Sequence, residues 1–129
     1  MTLPGVKMGL HRLAALILSA LLIAGPASAE PRLLMLKEEW CDWCMLWEEE
    51  IGGIYDRTEE GRQAPILRAD IHDPLPEGVT LARRAHFAPT FVLLNDAGHE
   101  VGRIEGYTGA DFFFGMVGTL LDRLDTTEP

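Results

Sequence analysis

EEWCDWCMLWEEE, residues 38–50, holds both cysteines of the chain, two residues apart, among three tryptophans and six carboxylates. A bridge across so short a gap closes a small loop, which restricts the unfolded chain little and makes a weak structural staple. A structural zinc site needs four ligands, and the sequence has neither a second cysteine pair nor a His-x3-5-His spacing. Redox exchange through Cys41 and Cys44 is favoured over both of these readings.

The segments on either side show what the pair is mounted on. RLLMLK (residues 32–37) follows Pro31 and is an apolar run of strand length, while Trp43, Trp47, Ile51 and Ile54 recur afterwards at helical spacing. These aromatics are expected to pack, Glu48, Glu49 and Glu50 to be solvated, and Gly52-Gly53 to kink or end the helix. APILRADI (64–71) reads as a second strand, followed by a loop punctuated by Pro74, Pro76 and Gly78 and a short helix over VTLARRAH (79–86). FAPTFVLLNDAGHEVGRIEGY (87–107) is a hairpin in which Asp96, Ala97 and Gly98 turn the chain. Thr108 then reads as the cap of a last helix with an apolar stripe of Phe113, Val117, Leu120 and Leu124. The order β-α-β-α-β-β-α predicts an α/β fold, a central mixed sheet flanked by helices.

Ahead of this domain, residues 1–29 carry Lys7 and Arg12 without an acid, the apolar run Leu13 to Gly25, and Ala27-Ser28-Ala29. That is the pattern of a cleaved secretory signal peptide, its apolar run falling short of the roughly 20 residues that cross a bilayer. The expected organisation is a signal peptide over 1–29 and one domain over 30–129, exported to the periplasm, where disulfides persist. The net charge of −9 becomes two units more negative once Lys7 and Arg12 are removed. Nucleic acid and anionic membrane surfaces are therefore poor partners, and a soluble monomer is expected.

Trp-Cys-x-x-Cys at a strand-to-helix junction, followed by Ala88-Pro89-Thr90 opening a hairpin that ends in Glu105-Gly106-Tyr107, resembles the thioredoxin superfamily. Within it the chain is most similar to the SoxS branch, small periplasmic thiol-disulfide oxidoreductases that accompany bacterial sulfur-oxidation systems. The resemblance implies a thioredoxin-like fold and a redox-active Cys41-Cys44 disulfide that needs no cofactor and no metal. It implies a cis Pro89 beside the cysteines, holding the Ala88 backbone at the rim for an extended substrate and keeping metal off the thiols. Trp40, Asp42, Trp43, Ala88 and Pro89 would contact the substrate. A disulfide- or thiol-bearing periplasmic protein, such as a sulfur-carrier protein, would be the partner, with a membrane thiol transporter or glutathione as electron source.

Cys41 precedes the helix, whose unpaired N–H groups stabilise an anion, so Cys41 is expected to be the nucleophile and Cys44 the resolving thiol. The chain departs from thioredoxin at Met35, where that pattern has a buried aspartate, and at Asp42-Trp43, where it has Gly-Pro. Glu38, Glu39 and His86 are the residues nearest in sequence that could move the proton instead, whereas His72 and His99 read as loop residues. The rival class is a thioredoxin-like redox sensor or Cu(I)-binding module using Cys41, Cys44 and Met45, since soft sulfur ligands suit Cu(I).

Overall fold

The computed structural model describes residues 29–126 and, ahead of them, Thr2 alone. The proposed signal peptide lies almost wholly outside the described residues. Strand β1 (Arg32–Lys37) leads through a short turn into helix α1 (Asp42–Trp47), which continues as a single π turn (Glu48–Gly52). A 3-10 turn (Tyr55–Arg57) and helix α2 (Glu59–Gln63) carry the chain back to β2 (Ile66–Asp70). Strands β3 (Thr90–Leu94) and β4 (Glu100–Glu105) form the hairpin, and helix α3 (Ala110–Thr126) closes the domain.

The sheet has the order β2-β1-β3-β4, with β1 and β2 parallel and the other two pairings antiparallel. β1 is central, and both its faces are covered, which explains why RLLMLK reads as a continuous apolar run instead of an alternating one. Leu33 and Met35 point to the face that packs Trp47, Ile51, Phe113 and Val117; Leu34 and Leu36 point to the other, with Val92, Leu94 and Ala85. The first face is an aromatic core. Phe113 sits within it, its ring centroid 4.8 Å from that of Phe91, 5.7 Å from that of Trp47 and 6.0 Å from that of Tyr55. All three pairs are edge-on, as ring quadrupoles favour.

Two glycines are required by their surroundings. A Cβ on Gly61 would lie 1.9 Å from the Tyr55 carbonyl oxygen, so α2 closes on the preceding turn only without a side chain there. Gly98, at φ +80°, turns the hairpin, and its missing Cβ leaves room for the Gly78 carbonyl oxygen.

Four local expectations are corrected. Residues 79–86 form no helix: the Thr80 N–H donates to Gly98 O (2.9 Å), its carbonyl accepts from the Glu100 N–H (3.0 Å), and the Ala82 N–H donates to a Glu100 carboxylate oxygen (2.7 Å). Arg103 completes the anchor by bonding both Glu100 and the Arg83 carbonyl, so hydrogen bonds to β4 replace those a local helix would have made. The packing stripe on α1 is shorter than its spacing suggests. Trp47 and Ile51 are buried, but Trp43 and Ile54 are exposed: Cys44, not Trp43, takes the core-facing position one turn before Trp47, and Ile54 lies beyond the wider π turn, which ends at Gly52.

Glu48 and Glu50 are not simply solvated. Glu48 makes a two-pronged ion pair with Arg68 (2.6 and 2.9 Å), and Glu50 accepts the Tyr107 hydroxyl. Thr108 is not the cap of α3: the first helical bond runs from the Phe113 N–H to the Gly109 carbonyl (3.1 Å), one residue later. No helix among the described residues is long and apolar enough to cross a membrane.

Candidate active site

The cysteines sit where the end of β1 meets the start of α1. Cys41 has extended backbone (φ −86°, ψ 104°) and occupies the cap position, and its sulfur accepts the Cys44 N–H at 3.2 Å. A sulfur here replaces the oxygen that a serine or aspartate cap would offer to the first turn. The two sulfurs are joined in a disulfide, with Cα atoms 5.2 Å apart. Both cysteines are largely buried within the aromatic core cluster, which also contains the apolar side chain of Met35.

The register brings the second motif to the same place. Leu36 pairs with Thr90, so the turn leaving β1 toward Cys41 and the Ala88-Pro89 step entering β3 emerge side by side from adjacent strands. The Ala88-Pro89 peptide bond is cis, and Ala88 packs against the cluster that includes both cysteines. Two bonds hold the step: the buried Thr90 hydroxyl donates to the Phe87 carbonyl (2.5 Å), and the Pro89 carbonyl accepts the Gly106 N–H (2.8 Å). Ala88 lies beyond the first ladder pair, so its backbone is outside the paired part of the sheet.

The rim is aromatic. Trp40 is 87% exposed and Trp43 58% exposed. Trp40 also holds φ at +63°, a conformation that a bulky side chain adopts only at a cost. Phe87, one residue before Ala88, is 61% exposed, and sequence reading passed over it. Its adjacency to the proline motif was the available signal. Asp42 is exposed in the first turn of α1.

The reduced form of the periplasmic thioredoxin SoxS from Paracoccus pantotrophus is 47% identical, with a TM-score of 0.70, over 73% of this chain and 98% of that one. The chain belongs to the SoxS family of thioredoxins. No family model and no curated protein matches it. As a SoxS-type thioredoxin carrying a Cys-x-x-Cys pair, it is a thiol-disulfide oxidoreductase with a thioredoxin-like fold.

The residues named for proton transfer are all exposed. Glu38 is engaged by His72, whose Nε2 lies 2.9 Å from its carboxylate, and both are exposed. Glu39 and His86 are exposed and His99 stands at the hairpin turn. Among the described residues no group of three or more His, Cys, Asp or Glu is arranged to hold a metal ion.

Sequence reading also missed the far wall of the site. Gly106, Tyr107, Thr108 and Gly109 face Trp43, Leu46 and Glu50 across a groove of about 490 Å³. Tyr107 is buried, and burial together with the Glu50 carboxylate it bonds pushes its hydroxyl pKa above the ordinary value, so it remains a neutral donor.

Proposed function

We propose that this protein is a periplasmic reductant of partner disulfides in which Cys41 attacks and Cys44 resolves. The observation that carries the assignment is the Cys41 sulfur at the cap of α1, accepting the Cys44 N–H, a contact that favours negative charge on that sulfur. In the dithiol form the Cys41 thiolate attacks one sulfur of a partner disulfide, and the partner's other sulfur departs as a thiolate and takes up a proton. The Cys44 thiol, on losing its proton, attacks the Cys41 sulfur. The partner's remaining sulfur leaves, and two electrons and two protons have moved from the Cys41/Cys44 pair to the partner. Trp40, Trp43 and Asp42 on one side and Ala88 and Pro89 on the other are the substrate-contacting groups, with the Ala88 backbone free to pair with an extended segment.

The similarity to SoxS supports a thiol-bearing protein of sulfur oxidation as the partner, its thiol kept active by this reduction. A membrane thiol transporter or glutathione would return the electrons. The enzyme reading is tested by insulin reduction with dithiothreitol as the recycling reductant: catalysed precipitation is expected. Stoichiometric Cu(I) binding by the reduced protein, without catalysed insulin reduction, would instead establish the metal-binding alternative. Export is tested by expressing the full chain in a sulfur-oxidising host, where the mature protein is expected to begin at Glu30 in the periplasmic fraction. Recovery of Met1 in a membrane fraction contradicts it.

The acidic neighbours set the redox poise. Asp42 is next to Cys41, and negative charge near a thiolate disfavours the anion and destabilises the reduced form. The potential is expected to lie nearer the thioredoxin value of about −270 mV than the strongly oxidising value of about −120 mV. Asp42→Asn keeps the shape and removes the charge. Its potential in a glutathione titration should rise, by about 30 mV for each tenfold change in the exchange constant. An unchanged or more negative potential would show Asp42 to be only a solvated charge.

A further inference from the structure

The chain that delivers Ala88 to the active site crosses the sheet face opposite the aromatic core as a strap, residues 72–89, with no helix and a single isolated bridge from Thr80 to His99. Packing alone does not fix its path. Only Ala85 and Pro89 of the strap are buried. A cavity of about 470 Å³ lies beside it, lined by Leu36 of β1 together with Ile71, Leu75, Val79 and Leu81.

What fixes the strap is a polar clamp on β4. The β3–β4 register shifts between Leu93, which pairs with Gly102, and Leu94, which pairs with Glu100, so Val101 is an extra residue. A bulge of this kind re-aims side chains: Glu100 and Arg103, three apart and on opposite faces of a regular strand, come to the same face. That face is the strap's, since their ladder partners Leu94 and Val92 belong to the apolar cluster beneath it. There Arg103 donates to both carboxylate oxygens of Glu100 (2.6 and 2.7 Å), with neither side chain more than 5% exposed. The pair grips the strap twice. Glu100 accepts the Ala82 N–H (2.7 Å), and Arg103 donates to the Arg83 carbonyl (2.6 Å).

From this grip to the substrate-contacting backbone the path is short. Residues 84–86 separate Arg83 from Phe87, whose carbonyl is held by the Thr90 hydroxyl, and Ala85 among them is buried in the cluster with Leu34, Leu36, Val92 and Leu94. Ala88 follows directly. We propose that Glu100 and Arg103 are positioning residues for substrate recognition: by fixing the strap they fix the Ala88 backbone that pairs with an extended polypeptide, and so favour polypeptide disulfides over small ones that have no backbone to pair. The inference rests on the oxidoreductase reading above and gives a specificity role to a pair on the opposite face of the sheet from the disulfide.

Replacing a buried ion pair by apolar side chains of similar size changes stability little, whereas removing one partner strands a charge. The double variant Glu100→Leu, Arg103→Met therefore removes the grip and keeps the packing. Second-order rate constants of the reduced protein are measured with insulin and with hydroxyethyl disulfide, alongside thermal unfolding. Insulin exchange is expected to fall about fivefold or more, and hydroxyethyl disulfide exchange to stay within about twofold of wild type. Arg103→Lys, which keeps the charge without the planar fork, should lower the same ratio by a smaller factor, and it carries the test if the double variant does not fold. An unchanged ratio of the two rates, whether or not the melting temperature falls, shows the pair to be structural only and overturns the proposal. Absence of exchange with both substrates in the wild-type protein overturns it together with the oxidoreductase reading.

Discussion

Cys41→Ser is expected to lose disulfide reduction by a factor on the order of a thousand or more. The expectation follows from the chemistry of the two positions. Cys41 caps α1 with its sulfur turned to the Cys44 N–H, while Cys44 is the more enclosed of the two and lies one turn inside the helix. A serine at 41 can preserve the capping hydrogen bond, so the fold should survive, but its hydroxyl is a poor nucleophile toward sulfur. Turnover of insulin with dithiothreitol is the measurement, with thermal unfolding as the check on folding. Retention of a tenth or more of the wild-type rate would mean that Cys44 also serves as attacking thiol. Cys44→Ser should lose turnover as well, but for a different reason: the first exchange still occurs and the second cannot.

Phe113→Ala is expected to lower the unfolding free energy by about 3–5 kcal/mol. The side chain is fully buried and touches the rings of Trp47, Tyr55, Phe91, Tyr107 and Phe114, which come from α1, the 3-10 turn, β3, the loop after β4 and α3 itself. Removing it opens a cavity between both helices and the sheet that rigid rings cannot collapse to fill. Against a total of about 5–15 kcal/mol for a domain, the loss is large, and the melting temperature should fall by about 12 °C or more. Phe113→Leu, which keeps most of the apolar volume, should cost clearly less. Denaturant titration followed by tryptophan fluorescence measures both. A cost below about 1 kcal/mol for the alanine variant would show that Phe113 is not the centre of the core.

The parts of the fold that sequence reveals are those whose local pattern and tertiary role agree. β1 is legible because burial on both faces makes it apolar throughout, and the β3–β4 hairpin is legible because Gly98 takes the positive φ that its turn requires. The Cys41/Cys44 pair is legible because its spacing carries a mechanism. Residues 79–86 mislead because the hydrogen bonds that decide their path come from Glu100, Arg103 and Gly98, about twenty residues away, which no local periodicity encodes. Trp43 misleads for a related reason. Its spacing to Trp47 is that of a buried stripe, yet in the first turn of α1 Cys44 takes the core-facing position, and the Trp43 ring becomes part of the rim. Residues 106–107 are legible as a motif, but their place opposite Trp43 is not, because it is set only when the end of the hairpin folds against α1, and the Tyr107–Glu50 bond spans 57 residues.

The assignment of Cys41 as attacking thiol and Cys44 as resolving thiol is tested most directly by trapping. Reduced Cys44→Ser and Cys41→Ser proteins, each incubated with periplasmic extract from a sulfur-oxidising host, are resolved without reductant and the adducts identified by mass spectrometry. The account predicts that Cys44→Ser accumulates mixed disulfides through Cys41 that dithiothreitol releases, and that Cys41→Ser accumulates few. Equal trapping by the two variants, or more on Cys41→Ser, would contradict it.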